Sequence, residues 1–341
     1  MKKGFTVFLA QMILFITACC AGEGADRLTY AIYPLLPDPA YYQELIERRW
    51  AEVEPDIPLV RAEWNCYEDD APEGIDVIMF DAVMLDFLAA SGWIQPISPD
   101  QVRDAGDIFP FALEGLTVEG RLYGIPVFLC GNFLIYDQTC ESLARAEHIT
   151  DLSDSSEILV VNSEDPMNRP QYIIEVIADR MGMANPSIDV GAKDVLLVLD
   201  RLAIGAHKRD DNERIALAYD AGEGLGYIDF SESMRLLKHR AAGTRIKTIS
   251  FSDQPDIRRL YVDAAAVSAE VRGERLQKCL ELMNVMAEAK VLTALSVQDG
   301  APLYLLLPRK SPYPILSERF PLYAQLEGLA EAENNHVIRT R

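Results

Sequence analysis

The chain has 341 residues, 49% hydrophobic and 25% charged, a globular composition long enough for two domains. Its net charge of −21 excludes nucleic acid and anionic membrane surfaces as partners, since both need basic patches. Four scattered histidines (148, 207, 239 and 336) and the lack of any Cys-x-x-Cys exclude a structural zinc motif and a His-Glu-x-x-His metalloprotease.

Residues 1–22, "MKKGFTVFLAQMILFITACCAG", set two lysines before an apolar run too short to span a membrane. They read as a signal peptide and predict a secreted or periplasmic protein. Ile16-Thr17-Ala18-Cys19 matches the box before a lipidated cysteine, although Cys20 directly behind it departs from that pattern. Lipid anchoring at Cys19 and plain export both stay open, and the anchor is the one membrane contact expected. Beyond the leader lie Cys66, Cys130, Cys140 and Cys279. If one of the four is a reactive thiol, at most one disulfide can form.

"RLTYAIYP" at 27–34 predicts a strand. Asp38-Pro39 then starts a helix, with Tyr42, Leu45, Ile46, Trp50 and Val53 on one apolar stripe. "IPLVRAEW" and "GIDVIMFD" predict two more strands, the second ending in Asp81, and a helix through Leu88 follows. "EILVVNS", helices near 170–181 and 192–204, and "GLGYIDFSESMRLLKH" repeat the alternation. "TRIKTISFS", "LYVDAAAVSA", a long helix over 273–295 and a strand-like "PLYLLLPRK" complete the chain. In that long helix Cys279 joins Leu276, Leu280 and Met283 on the apolar face and reads as core. Strands alternating with helices predict a parallel α/β sheet, with ligands beyond the carboxyl ends of strands. Asp81 stands at such an end.

Taken singly, these residues have ordinary explanations. Strand spacing makes Cys130 a packing residue, as most unpaired cysteines are. Asp81 can cap the helix after it, and Ser231 can cap a helix carrying Glu232. Tyr33 beside Pro34 can be a packing residue at a strand end. "GEGLGY" at 222–227 lacks the spacing of a dinucleotide fingerprint and reads as a loop.

Read together, they say more. "VEGRLYGIPVFLCGNFLIYD" at 118–137 resembles the hinge-strand segment of extracellular solute-binding proteins. That resemblance implies a two-lobe, periplasmic-binding-protein-like α/β clamshell, with crossing hinge strands and Cys130 on the floor of the ligand cleft. The expected lobes are 26–127 plus 264–309, and 128–263 plus 310–341. "YAIYPLLPDPA", "VIMFDAVMLDFLAASGWIQPI", "FPFALEGLTVEGRLYGIPVFLCGN", "FSESM" and "YVDAAAV", in that order, resemble thiaminase I (thiamine pyridinylase).

By that resemblance Cys130 is the nucleophile and Glu232 the acid/base. Tyr33, Tyr67, Asp81, Tyr261 and Asp263 match positions lining the pyrimidine site. Phe230 stands where the family usually has a tyrosine, so one hydroxyl is missing. A further wall tyrosine is assigned to Tyr227, with Tyr219 the other choice. The implied substrates are thiamine and an amine or thiol acceptor, with no cofactor, no metal and a monomeric chain. The alternative is a non-catalytic thiamine- or pyrimidine-binding protein of an ABC-type transporter; a hydrolase using water as acceptor is a third reading. The chemistry suits the residue types, with one demand. Moving a proton from an ordinary thiol to an ordinary glutamate is uphill by about 6 kcal/mol, a gap that closes if burial raises Glu232 and the bound cation lowers Cys130, or if transfer is concerted with carbon–sulfur bond formation.

Overall fold

The computed structural model describes residues 27–34, 36–152, 159–161, 207–208, 212–249 and 258–339. The leader with Cys19 and the helices expected near 170–181 and 192–204 lie outside the described residues. Among the described residues, eleven strands build two sheets. In chain order they are β1 (Leu28–Ala31), β2 (Leu59–Ala62), β3 (Val77–Asp81), β4 (Ile125–Cys130), β5 (Phe133–Asp137) and β6 (Leu159–Val161). There follow β7 (His207–Lys208), β8 (Gly226–Asp229), β9 (Thr244–Thr248), β10 (Arg258–Val267) and β11 (Asn335–Val337).

β1, β2, β3, β4, β10 and β11 form the first sheet, and β5 to β9 the second. β1 runs parallel to β2 and β3, but β10 is antiparallel to both β3 and β4. In the second sheet β5 is antiparallel to β8 and β9. The expected parallel sheet is therefore mixed in both halves. A strand buried on both faces, such as β3 or β10, reads as one apolar run whichever way its neighbours point.

Only Gly131 and Asn132 separate β4 from β5, so the chain passes from one sheet to the other in two residues. A Cβ on Gly131 would sit 3.0 Å from a Leu260 methyl and 3.3 Å from the Arg259 carbonyl oxygen, so glycine lets this link pass close to β10. Residues 258–263 and 335–337, grouped with the second lobe on the sequence, pair within the first sheet. The helix Leu322–Ala330 reaches the other sheet, where the Gln325 side chain accepts the Ile246 N–H at 3.1 Å.

The first helix, Pro39–Val53, forms as its sequence dictates: the Asp38 carboxylate accepts the Tyr41 N–H at 2.9 Å, and Tyr42, Leu45, Ile46 and Trp50 are buried. The helix expected over 273–295 is two, Gly273–Met286 and Ala289–Leu295. Between them Glu288 adopts an extended backbone, and Arg49 holds its carboxylate with two bonds of 2.6 and 2.9 Å. Cys279, Leu280 and Met283 are core as expected. The strand expected at 302–310 is mostly irregular, with bridges only at Leu306 and Arg309 besides the short strand Ala301–Pro302. At Leu307 its buried backbone is satisfied by a side chain: the Tyr313 hydroxyl accepts from the Leu307 N–H and donates to the Leu307 carbonyl, while Leu303, Leu306, Pro308 and Lys310 bond to main chain elsewhere.

Candidate active site

Residues directly opposite on neighbouring strands, or two apart on one strand, point to the same face of a sheet. Tyr261 lies opposite Cys130 across β10 and β4, and Asp263 lies opposite Asp81 across β10 and β3. These pairings bring Cys130, Tyr261, Asp263 and Asp81 to one face, although the sequence scatters them over more than 180 positions. Cys130 is half-buried at the end of β4 and packs against a cluster of Val83, Tyr261 and Ile338.

Asp81 has two tasks. Its Oδ1 accepts the Val83 N–H at 2.9 Å, capping the short turn Ala82–Met84, while its Oδ2 accepts the Tyr67 hydroxyl at 2.7 Å. The capping reading of this residue therefore holds, and its second oxygen is engaged by Tyr67. Burial pushes its carboxyl up to about 6, against the lowering effect of those two hydrogen bonds. Tyr67 is exposed apart from that anchored hydroxyl. Tyr33, buried just beyond β1, has its phenol raised far above the ordinary range by burial and then by Asp263, Asp81, Cys66 and Cys130 around it.

Cys66 belongs to this cluster and was not singled out on the sequence. It is buried, and burial pushes its thiol up to about 12, so it stays protonated and unreactive near neutral pH. A cysteine in a loop, next to Tyr67, carries no periodicity that would mark it.

The second sheet contributes Glu232. It lies on the 3₁₀ turn Ser231–Leu236 that follows β8. The Ser231 hydroxyl donates to Glu232 Oε2 at 3.2 Å rather than capping a helix, so the expected serine cap is not formed. Burial raises the Glu232 carboxyl, and Ser231 and Arg235 only partly oppose that. Asp263 is raised by burial, then by the charges of Asp81 and of Glu232. Asp81 and Asp263 thus share a face with the Cys130 thiol, and the charge of Glu232 is felt at Asp263. Such a place favours a cationic ligand.

Phe230 is half-buried just before this turn. Its N–H donates to Asp229, a fully buried acid that was also missed and that burial raises well above its ordinary range. Tyr227 is fully buried, its ring 5.1 Å from that of Tyr219, and its hydroxyl accepts from Ser233 at 3.3 Å. It therefore supports the turn carrying Glu232 and is not brought to the open face. Tyr219 is equally buried, tied to Thr244 at 3.0 Å.

No family model matches the chain. Thiaminase-1 of Paenibacillus thiaminolyticus is 29% identical over 373 residues, covering 99% of this chain and 90% of that protein. The structure of Clostridium botulinum thiaminase I in complex with thiamin superposes with a TM-score of 0.85 at 27% identity, covering 92% of this chain and 94% of that one. The chain is a relative of thiaminase I. The structure of thiaminase I from Bacillus thiaminolyticus gives 0.83 at 28% identity, with the same coverage of both chains. The maltose-bound T. maritima MalE3 gives 0.66 at 14% identity, covering 91% and 88%, which places thiaminase I and this chain on one two-lobe solute-binding fold.

Proposed function

We propose that the chain is a thiamine-cleaving transferase of the thiaminase I type, with Cys130 as nucleophile and Glu232 as acid/base. The observation that carries this reading is the strand register: it sets Cys130 beside Tyr261 and Asp263 beside Asp81, while the charge of Glu232 is felt at Asp263.

Thiamine joins an aminopyrimidine to a cationic thiazolium through a methylene. Glu232, made more basic by burial, takes the thiol proton as sulfur adds to the pyrimidine ring. The carbon–nitrogen bond to the thiazolium then breaks, its electron pair returns to that nitrogen, and a neutral thiazole leaves. An amine or thiol attacks the methylene, its proton passes to a base, and the Cys130 sulfur departs with its bonding electrons. Asp81 and Asp263 stabilise the ring while it carries positive charge, and Tyr33, Tyr67 and Tyr261 form its walls. Burial leaves Asp263 poised to hold a proton that the ring nitrogen can share.

Export through residues 1–22 and a lobe boundary at the β4–β5 link belong to the same reading. A carrier needs neither a half-buried thiol in its cleft nor a glutamate made more basic by burial, so the transferase is preferred to the transport alternative. The test is incubation with thiamine and an aromatic amine, followed by mass spectrometry. The free thiazole and the pyrimidinylmethyl-amine are expected. Bound but intact thiamine would favour the carrier, and hydroxymethylpyrimidine alone would favour a hydrolase.

A further inference from the structure

The C-terminal residues 335–339 take no part in the chemistry above, yet they end beside Cys130. β11 pairs with β10 at 258–260 and β3 pairs with it at 263–267, so the two strands stop on either side of Tyr261 and Val262. Ile338 extends from β11, and its N–H donates to the Leu260 carbonyl at 2.9 Å. Its fully buried side chain clusters with Val83 and Tyr261, the group on which Cys130 rests.

Arg339 locks that placement. Its Nε and Nη2 bind the two oxygens of Asp86, the former at 2.9 Å, and its Nη1 donates to the Thr117 carbonyl at 2.8 Å. The guanidinium side chain is only 11% exposed and the carboxylate 19%, so solvent screens this two-pronged pair less than a surface pair. Asp86 sits on the helix Leu85–Ala90, directly after the turn that holds Asp81 and Val83. One ion pair thus ties the chain terminus to the segment bearing Asp81.

We propose that Ile338 and Arg339 are positioning residues for the transfer reaction, forming a strap that fixes Tyr261 and Cys130 relative to Asp81. The proposal rests on the transferase reading. Cys130 is a strand-end residue, and the strand beyond Asp81 has given way to a turn, so Val83 and Ile338 supply the packing behind Tyr261. Bond formation needs reacting atoms within about 3–3.5 Å, and a misplacement of about 1 Å can cost on the order of 100-fold in rate.

The test compares Ile338→Ala, Ile338→Val and Arg339→Met with the unchanged full chain. It measures kcat and KM for thiamine, and iodoacetamide labelling located by peptide mass spectrometry. Cys279, fully buried in the core, serves as the folding control. Ile338→Ala and Arg339→Met are expected to lower kcat by about 10–100-fold with KM changed less, within about tenfold, because the Asp81, Asp263, Tyr33 and Tyr67 contacts stay while Tyr261 and the thiol are misplaced. Cys130 should label severalfold faster while Cys279 stays protected, and Ile338→Val should recover most of the rate.

Unchanged kcat and labelling in both disruptive variants would overturn the strap. So would a loss of rate accompanied by Cys279 labelling in Arg339→Met, since that reports general unfolding. If Ile338→Ala does not fold, Arg339→Met decides alone. A wild-type chain that fails to cleave thiamine sinks the transferase reading, and the labelling comparison still tests the strap separately.

Discussion

At the scale of single residues, the site rests on proton affinities set by burial. Glu232→Gln keeps the side chain's shape but cannot accept the thiol proton, so turnover should fall about 10²–10⁴-fold while equilibrium binding of thiamine persists. Near-normal turnover in that variant would reduce Glu232 to a turn residue. Asp263→Asn should lower turnover more than affinity, because its charge matters most when the ring is cationic; equal losses of kcat/KM and binding would instead describe a plain contact. The candidate roles of Cys130, Asp81, Asp263 and Glu232 were legible only through the resemblance to thiaminase I, since each residue read singly had an ordinary explanation and Asp263 lies inside β10. Cys66 and Asp229 were not, because a buried loop thiol and the last residue of a short strand look like their surroundings in one dimension. Tyr227 was legible as an aromatic but not as a buried one: its strand is buried on both faces, and no alternation says which face is open.

At the scale of elements, β10 organises the site because it pairs with β3, β4 and β11. Gly124, just before β4, tests that arrangement. A Cβ there would lie 2.9 Å from the Ala265 carbonyl oxygen, so Gly124→Ala must push β4 away from β10. The expected cost is about 1–3 kcal/mol by urea denaturation, with a fall in turnover as Cys130 shifts. An unchanged midpoint and rate would show that β4 has slack. Element types followed from periodicity wherever a stripe or a run was long. Strand direction did not, because it is decided by where the chain goes after Gly131. The segment 302–310 misled for a related reason: its apolar residues are buried as a strand's would be, while its backbone bonds go to scattered main-chain partners and, at Leu307, to the Tyr313 hydroxyl.

At the scale of the whole molecule, the raised acids make stability depend on pH in a defined direction. Asp81 titrates near 6 when folded, above the ordinary carboxylate range, so the empty protein binds more protons than its unfolded chain between about pH 4 and 6. Its contribution to stability therefore declines as pH rises through that window, and Asp263 and Glu232 act in the same direction. A cationic ligand reverses this by favouring the charged acids. The difference in melting temperature between the native chain and Asp81→Asn should thus move against the native chain from pH 4.5 to 7 without thiamine. With thiamine bound it should move in its favour. A difference independent of pH would mean that Asp81 does not titrate in this window.

If Cys130 is the nucleophile, a covalent intermediate must form on it before the acceptor arrives. A thiamine analogue with a leaving group on the pyrimidine and no acceptor present should leave one pyrimidine-derived adduct, located by peptide mass spectrometry on Cys130. Cys130→Ser should lose both adduct and turnover while folding normally. A label on Cys66 or Cys140 with Cys130 untouched, or full turnover in Cys130→Ser, would contradict the account.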